Sequence, residues 1–159
     1  SNIVPNPSFE KGTSSPFSWR EGGTASEDSP QWVSDNAADG TRCVILRGTG
    51  DTNYRQWYTP DHVKVEPNAD YQFRFSCRYE DLGGSRRFYI VAKFFDSNGD
   101  TLSDTMIWRF TSEGNSLEWR TIALEGKTPS NAATVRFIIS SNPQASGTIW
   151  VDHLFFFFF

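Results

Sequence analysis

Between residues 71 and 79 the side chains alternate strictly: Tyr71, Phe73, Phe75, Cys77 and Tyr79 fall on one face, Gln72, Arg74, Ser76 and Arg78 on the other. A period of two marks a strand with one buried and one wetted face. Phe88 to Phe95 reads as a second long strand, turned back at Asn98-Gly99, and Ile107 to Thr111, Trp119 to Leu124 and Thr134 to Ser140 follow at hairpin spacing. Upstream, Gln31 to Val33 and Thr41 to Arg47 are short strands, the second introduced by the turn pair Asp39-Gly40. Phe17 to Trp19 resumes extended structure after the Gly12 to Pro16 loop, and Val63 to Val65 is a brief strand stopped by Pro67-Asn68. Asp51 to Pro60, polar and aromatic by turns, reads as a loop. No stretch carries a helical period. Many short strands without helices predict an all-β fold, a β-sandwich jelly roll of two antiparallel sheets, as a single domain over residues 1–159.

The two ends of the chain add a further expectation. Asn6-Pro7 favours extended backbone and a turn, after which Phe9 and Glu10 make a short strand with one residue in and one out. Gly147 to Leu154 is a β-rich strand holding a single acidic residue, Asp152. If first and last strands pair, Glu10 and Asp152 meet and the termini close the domain. The closing run Phe155 to Phe159 would be an aggregation hazard as an exposed edge. Either part of it is buried, or it is an artefact or the cut edge of a longer chain.

Composition narrows the class. Aromatic residues make up 16% of 159 residues, yet mean hydropathy is −0.51, so the rings are spread through a polar chain, as half-buried strands require. No apolar run reaches transmembrane length and no signal-peptide pattern is present, so nothing predicts a membrane partner. A net charge of −4 argues against nucleic acid. Cys43 and Cys77 both lie on predicted strands, and a disulfide and two buried thiols remain open alternatives.

The search for catalytic chemistry is negative. His62 and His153 have no Cys, Asp or Glu at metal-ligand spacing, and there is no phosphate loop and no Gly-x-Ser-x-Gly elbow. Glu80, Asp81, Glu113 and Glu118 sit near turns or strand ends without the facing pair that glycoside hydrolysis needs. Asp96 to Asp100 resembles a calcium loop only superficially, its glycine coming too early, and a hairpin turn accounts for it.

Three stretches, Asn6-Pro-Ser-Phe-Glu10 with Gly12 and Trp19, Val65-Glu-Pro-Asn-Ala-Asp-Tyr71, and Gly147-Thr-Ile-Trp-Val-Asp152, together resemble the jelly-roll carbohydrate-binding modules of families 4, 9, 16 and 22. The resemblance spans the chain. It implies a non-catalytic module of a secreted polysaccharide-degrading enzyme, extracellular, monomeric and tethered to other domains, with a polysaccharide or oligosaccharide as its partner. It also implies a structural calcium ion held by Glu10 and Asp152. Two carboxylates with backbone carbonyls suit an ion that takes about 6 to 8 oxygen ligands, although His153 stands where the family often has a second Asp. Without the metal, Glu10 and Asp152 read as solvated residues at strand ends.

Such modules bind glycan along a concave sheet face or among loops at one edge. Sugar rings lie against Trp and Tyr, and their hydroxyls need planar polar partners. Gln56, Trp57 and Tyr58 meet that need in sequence and fall where related modules place a cleft-lining segment; a core Trp57 is the competing reading. The polar face of the Tyr71 strand offers Gln72, Arg74 and Arg78, to which a neighbouring strand adds Tyr89 and Lys93 on the same side. Trp19, Trp119 and Trp150 take positions the family buries, whereas Trp32 and Trp108 stay open, Trp108 counting among the candidate ligand contacts. Arginine predominates among the 15 basic residues, which suits bidentate contacts to carboxylate or sulfate and makes an acidic polysaccharide one expectation, ion pairs on a solvated sheet being the other. The alternatives to a binding module are a polysaccharide lyase or hydrolase on a β-sandwich, and a structural or adhesive domain.

Overall fold

A computed structural model describes residues 1–28, 30–83, 87–111 and 114–159; Glu113 lies outside the described residues. The strands are β1 (Arg20–Gly23), β2 (Gln31–Val33), β3 (Cys43–Thr49), β4 (Arg55–Tyr58), β5 (Val63–Lys64), β6 (Asp70–Leu82), β7 (Phe88–Phe95), β8 (Met106–Arg109), β9 (Gly114–Lys127), β10 (Thr134–Ser141) and β11 (Ser146–Phe158). They form two antiparallel sheets. One runs β1-β4-β10-β7-β8, with β5 continuing alongside β10 after β4 ends; the other runs β2-β3-β11-β6-β9. Facing sheets with no helix among the described residues are the β-sandwich that the alternation predicts.

Period two decides what enters the space between the sheets. Phe73, Phe75 and Cys77 of β6, Ile90, Ala92 and Phe94 of β7, and Val135, Phe137 and Ile139 of β10 are fully buried there. β11 would lose this phase in its second half, because positions 149 and 151 point inward and the next inward positions would be 153 and 155. A bulge between Asp152 and Phe155, with His153 at φ 57°, inserts one residue and turns Leu154 and Phe156 inward instead. Phe156 then stacks on Tyr71 at 4.5 Å and meets Phe137 at 5.7 Å. The terminal phenylalanines thus divide: Phe156 is core, Phe155 and Phe157 are half-buried on the outer face, and Phe159 is exposed.

Three expectations change here, and one open alternative is decided. Phe9 and Glu10 form no strand: Phe9 has φ 57°, and the N-terminal segment lies along β11 through single bonds, Ile3 N–H to Phe156 O and Leu154 N–H to Pro7 O, both at 3.0 Å. The stretch from Asp51 to Pro60 is not all loop, since β4 crosses its middle and is hydrogen-bonded on both sides by β1 and β10. The disulfide is ruled out by sheet parity. Cys77 stands opposite Val151, which stands opposite Val44, so Cys43 is one residue out of phase and points to the other face. Both thiols are free, and burial pushes each up to about 12. Finally, Trp119 is not core. It lies half-buried on the outer face of the β2-β3-β11-β6-β9 sheet, where Cys43, Ile45 and Trp150 form a second, smaller apolar cluster.

Candidate functional site

The outer face of the β1-β4-β10-β7-β8 sheet carries an open groove of about 400 Å³. Its floor follows from register. Tyr58, Ile138, Val91 and Ile107 stand opposite one another across β4, β10, β7 and β8, and all point away from the core. Gln56, Ser140, Tyr89 and Arg109 form the next row, and Arg136 opposite Lys93 begins the row on the far side. Thr105 and Asn142 complete the lining beside β8 and β10. On β1 the glycine at position 22 is needed because a Cβ there would sit 2.8 Å from Gln56 Nε2 and 3.1 Å from Tyr58 Cε1. The edge strand therefore stays low and leaves Gln56 and Tyr58 room.

Among the described residues the charged groups lining the groove are both cationic, Lys93 and Arg109, and Arg136 adjoins them. The Arg109 guanidinium lies 5.2 Å from the Tyr89 ring, and that of Arg136 lies 5.4 Å from Tyr58 and 5.8 Å from Phe95. Close by, His62 is held below its ordinary value, first by burial and then by the Arg136 cation, with Lys93 acting in the same direction. The groove offers an apolar strip, one stacked phenol, amide and hydroxyl groups, and cationic donors. That set suits a polyhydroxylated chain.

Of the candidate ligand residues, the structure gathers Gln56 and Tyr89 in this groove, with Tyr58 at its β1 side and Lys93 at one end. The rest lie elsewhere. Trp57 alternates with Gln56 and Tyr58, so it points inward and is 1% exposed, which removes it as a stacking platform. Trp108 also faces inward, against Phe75 at 5.5 Å and Phe110 at 4.5 Å. Gln72, Arg74 and Arg78 belong to the other sheet and share no face with Tyr89. Arg74 lies over Phe155 at 4.9 Å. Arg78 is buried between Trp150 (4.3 Å) and Trp119 (5.4 Å) and bridges to Asp35 at 3.6 Å, so it fastens the loop before β3 rather than meeting a ligand. Val91, Ile107, Ile138, Ser140 and Arg109 escaped the sequence reading. Val91 gave a signal, being an apolar residue at an outward position of the strand that begins at Phe88.

Glu10 and Asp152 do come into electrostatic contact, near the bulge in β11. Glu10 accepts N–H bonds from Thr41 (2.8 Å) and Arg42 (2.7 Å), and a Cβ at Gly40, where φ is 67°, would collide with its carboxylate. Asp152 is fully buried; its oxygens accept from the N–H groups of Asp39 (2.9 Å) and His153 (2.8 Å). Burial pushes its carboxyl up to about 7 against those two bonds, and the carboxylates of Glu10 and Asp39 push the same way. Among the described residues no Lys or Arg is ion-paired to Glu10 or Asp152. A buried acid beside two others, without a cation, fits a hard oxygen-seeking ion. Among the described residues no group of three His, Cys, Asp or Glu side chains is placed to hold a metal, so backbone carbonyls would have to complete the shell.

The carbohydrate binding domain family matches residues 1–146, and the chain belongs to that family of non-catalytic modules. It is a carbohydrate-binding module. No curated protein matches it in sequence. Among solved structures it is similar to the enzymatically active domain of tailspike protein 4 from bacteriophage CBA120 (15% identity, TM-score 0.77, 99% of this chain and 21% of that one). It is also similar to TmCBM61 in complex with β-1,4-galactotriose (21% identity, TM-score 0.63, 100% and 99%). A third is the CBM22-1–GH10 modules of Clostridium thermocellum endo-1,4-β-D-xylanase 10B complexed with xylohexaose (14% identity, TM-score 0.60, 98% and 28%). The chain thus spans about a fifth of the tailspike domain and under a third of the xylanase modules.

Proposed function

We propose that the groove on the β1-β4-β10-β7-β8 sheet is where this module holds its glycan. The observation that carries the reading is the single outward face on which Tyr89, Gln56, Ser140 and Arg109 border an apolar strip, in a groove of about 400 Å³. A sugar chain lies over Val91, Ile107 and Ile138 and runs along the strands from the Tyr89 row toward Lys93, one ring packs on Tyr89, and the hydroxyls bond to Gln56, Ser140 and Asn142. Tyr89→Ala tests it by affinity gel electrophoresis against a panel of plant and algal polysaccharides, with circular dichroism to confirm folding. Binding falls about tenfold, since Tyr89 supplies the stacked ring, whereas Gln72→Ala on the opposite sheet binds as wild type. Equal binding by Tyr89→Ala and wild type places the glycan elsewhere.

We further propose that the module is secreted, acts as a monomer tethered to other domains, and carries an attached catalytic domain to its polysaccharide. The similarity to a module joined to a glycoside hydrolase in one chain supports that reading. A structural calcium ion belongs to the same proposal: Glu10 and Asp152 would hold it, and it would supply the positive charge that the buried Asp152 lacks. Its place, between the N-terminal segment, the loop before β3 and the bulge of β11, suits a scaffold role rather than contact with sugar.

A further inference from the structure

A module with net charge −4 presents cations, and among the described residues no carboxylate, along the lining of its groove: Lys93 toward one end, Arg109 toward the other, and Arg136 beside Lys93. Elsewhere the fold matches its buried guanidinium groups with acids, Arg55 with Asp51 at 2.9 Å and Arg78 with Asp35 at 3.6 Å. Among the described residues Lys93, Arg109 and Arg136 have no ion-pair partner; the Nε of Arg136, like that of Arg78, is buried without a hydrogen-bond partner. A buried N–H left unpaired costs stability unless something else accepts from it. His62, lowered first by burial, is lowered further by the Arg136 and Lys93 cations, with Asp61 opposing them.

Stacking is also sparse. Among the described residues Tyr89 is the one aromatic ring that lines the groove, with Tyr58 beside it at the β1 side, and no tryptophan joins them: Trp19 and Trp57 are in the core, Trp32 and Trp108 pack against it, and Trp119 and Trp150 lie on the other sheet. A face that recognised a neutral chain by flat apolar contact would carry more rings. Here the strong donors are charged.

We propose that this groove selects an anionic glycan, its carboxylate or sulfate groups received by Arg109 at one end and by Lys93 with Arg136 at the other. The proposal rests on the groove being the glycan site. Arg109 stands opposite Tyr89, and Lys93 lies four residues further along β7, about 13 Å of strand. That separation favours charges carried by different sugars of one chain over a lone anion. Guanidinium forks bind planar carboxylates bidentately and sulfate equally well, so both anions remain within the class. Because the protein as a whole is acidic, a polyanion is repelled from most of its surface, and binding to one reports the groove.

The test is affinity electrophoresis and calorimetry of the intact module with four probes: de-esterified homogalacturonan, the same polymer with its carboxyls reduced to alcohols, a sulfated galactan and an unsulfated galactan. At low salt one anionic polymer binds at least about tenfold tighter than its uncharged counterpart, and the preference shrinks as ionic strength rises. Which anionic polymer wins separates carboxylate from sulfate. Lys93→Gln combined with Arg109→Gln loses most of the preference and its salt dependence, and Arg136→Gln loses part; Arg74→Gln, on the other sheet, keeps both. Equal, salt-independent binding of charged and uncharged polymers overturns the charge selection while Tyr89→Ala still reports the groove. Preference retained in the double variant overturns it as well. Binding of none of the four, with the fold intact, overturns the anionic selection, and the groove reading then rests on Tyr89→Ala across the wider panel.

Discussion

Replacing Trp57 separates two opposed accounts of the Gln56-Trp57-Tyr58 stretch. Its indole is 1% exposed on a strand bonded on both edges, and its Nε1 is buried without a partner. Truncation to alanine removes a whole buried bicycle from between the sheets, and the neighbouring strands are held by their ladders and collapse only partly, so Trp57→Ala costs about 3 to 5 kcal/mol. Against a total of about 5 to 15 kcal/mol for a domain, that is a large share. Trp57→Phe behaves differently. It leaves a smaller void and also deletes an unpaired buried N–H whose desolvation costs about 1 to 3 kcal/mol, so the two effects offset and the net loss stays under about 2 kcal/mol. Urea titrations followed by tyrosine and tryptophan fluorescence give both values, and gel retardation of each variant gives glycan binding below its unfolding transition. Folded Trp57→Phe binds as wild type. Were Trp57→Ala as stable as wild type but unable to bind glycan, the indole would have to lie against the ligand and the inward placement of Trp57 would be wrong.

Other outcomes follow from the same structure. In chelator, Asp152, whose carboxyl sits at about 7 in the fold against an ordinary 3.8, contributes stability that is complete below about pH 4 and lost as pH rises through 7, roughly 4 kcal/mol in all. Melts of wild type and Asp152→Asn across that range isolate the contribution; with calcium the wild type no longer loses it, and a wild-type curve parallel to Asp152→Asn in chelator would falsify the buried acid. Arg78→Met deletes the cation held between Trp119 and Trp150 and its bridge to Asp35, costing about 2 kcal/mol in urea unfolding without changing glycan affinity. Loss of affinity in a stable Arg78→Met would return that residue to the ligand face.

The architecture was largely legible in the chain because a strand writes its burial into every second residue. From Tyr71 to Tyr79 the alternation names the inward side chains outright, and the structure buries Phe73, Phe75 and Cys77 as that pattern requires. The resemblance at the two ends likewise brought Glu10 and Asp152 into view, and they do lie close enough to repel. Three things lay beyond local pattern. A strand as short as β4 shows too little of its period to be told from a loop, and Arg55, buried beside Trp57, disguised it further; its charge is met by Asp51 and by the carbonyls of Glu27 and Asp28, which only the folded chain assembles. Parity likewise gives two faces but not which neighbour shares them. Gln72, Arg74 and Arg78 looked like companions of Tyr89, yet strand order puts them on opposite sheets, and the loop before β3 covers Arg78. The groove is the third: its floor of Val91, Ile107 and Ile138 comes from strands distant in sequence, and an apolar residue facing outward is indistinguishable from a core residue until the register across β10, β7 and β8 is known. Periodicity is local and survives in one dimension. Pairing is set by which long-range burial stabilises the whole, and that is decided only when the chain closes on itself.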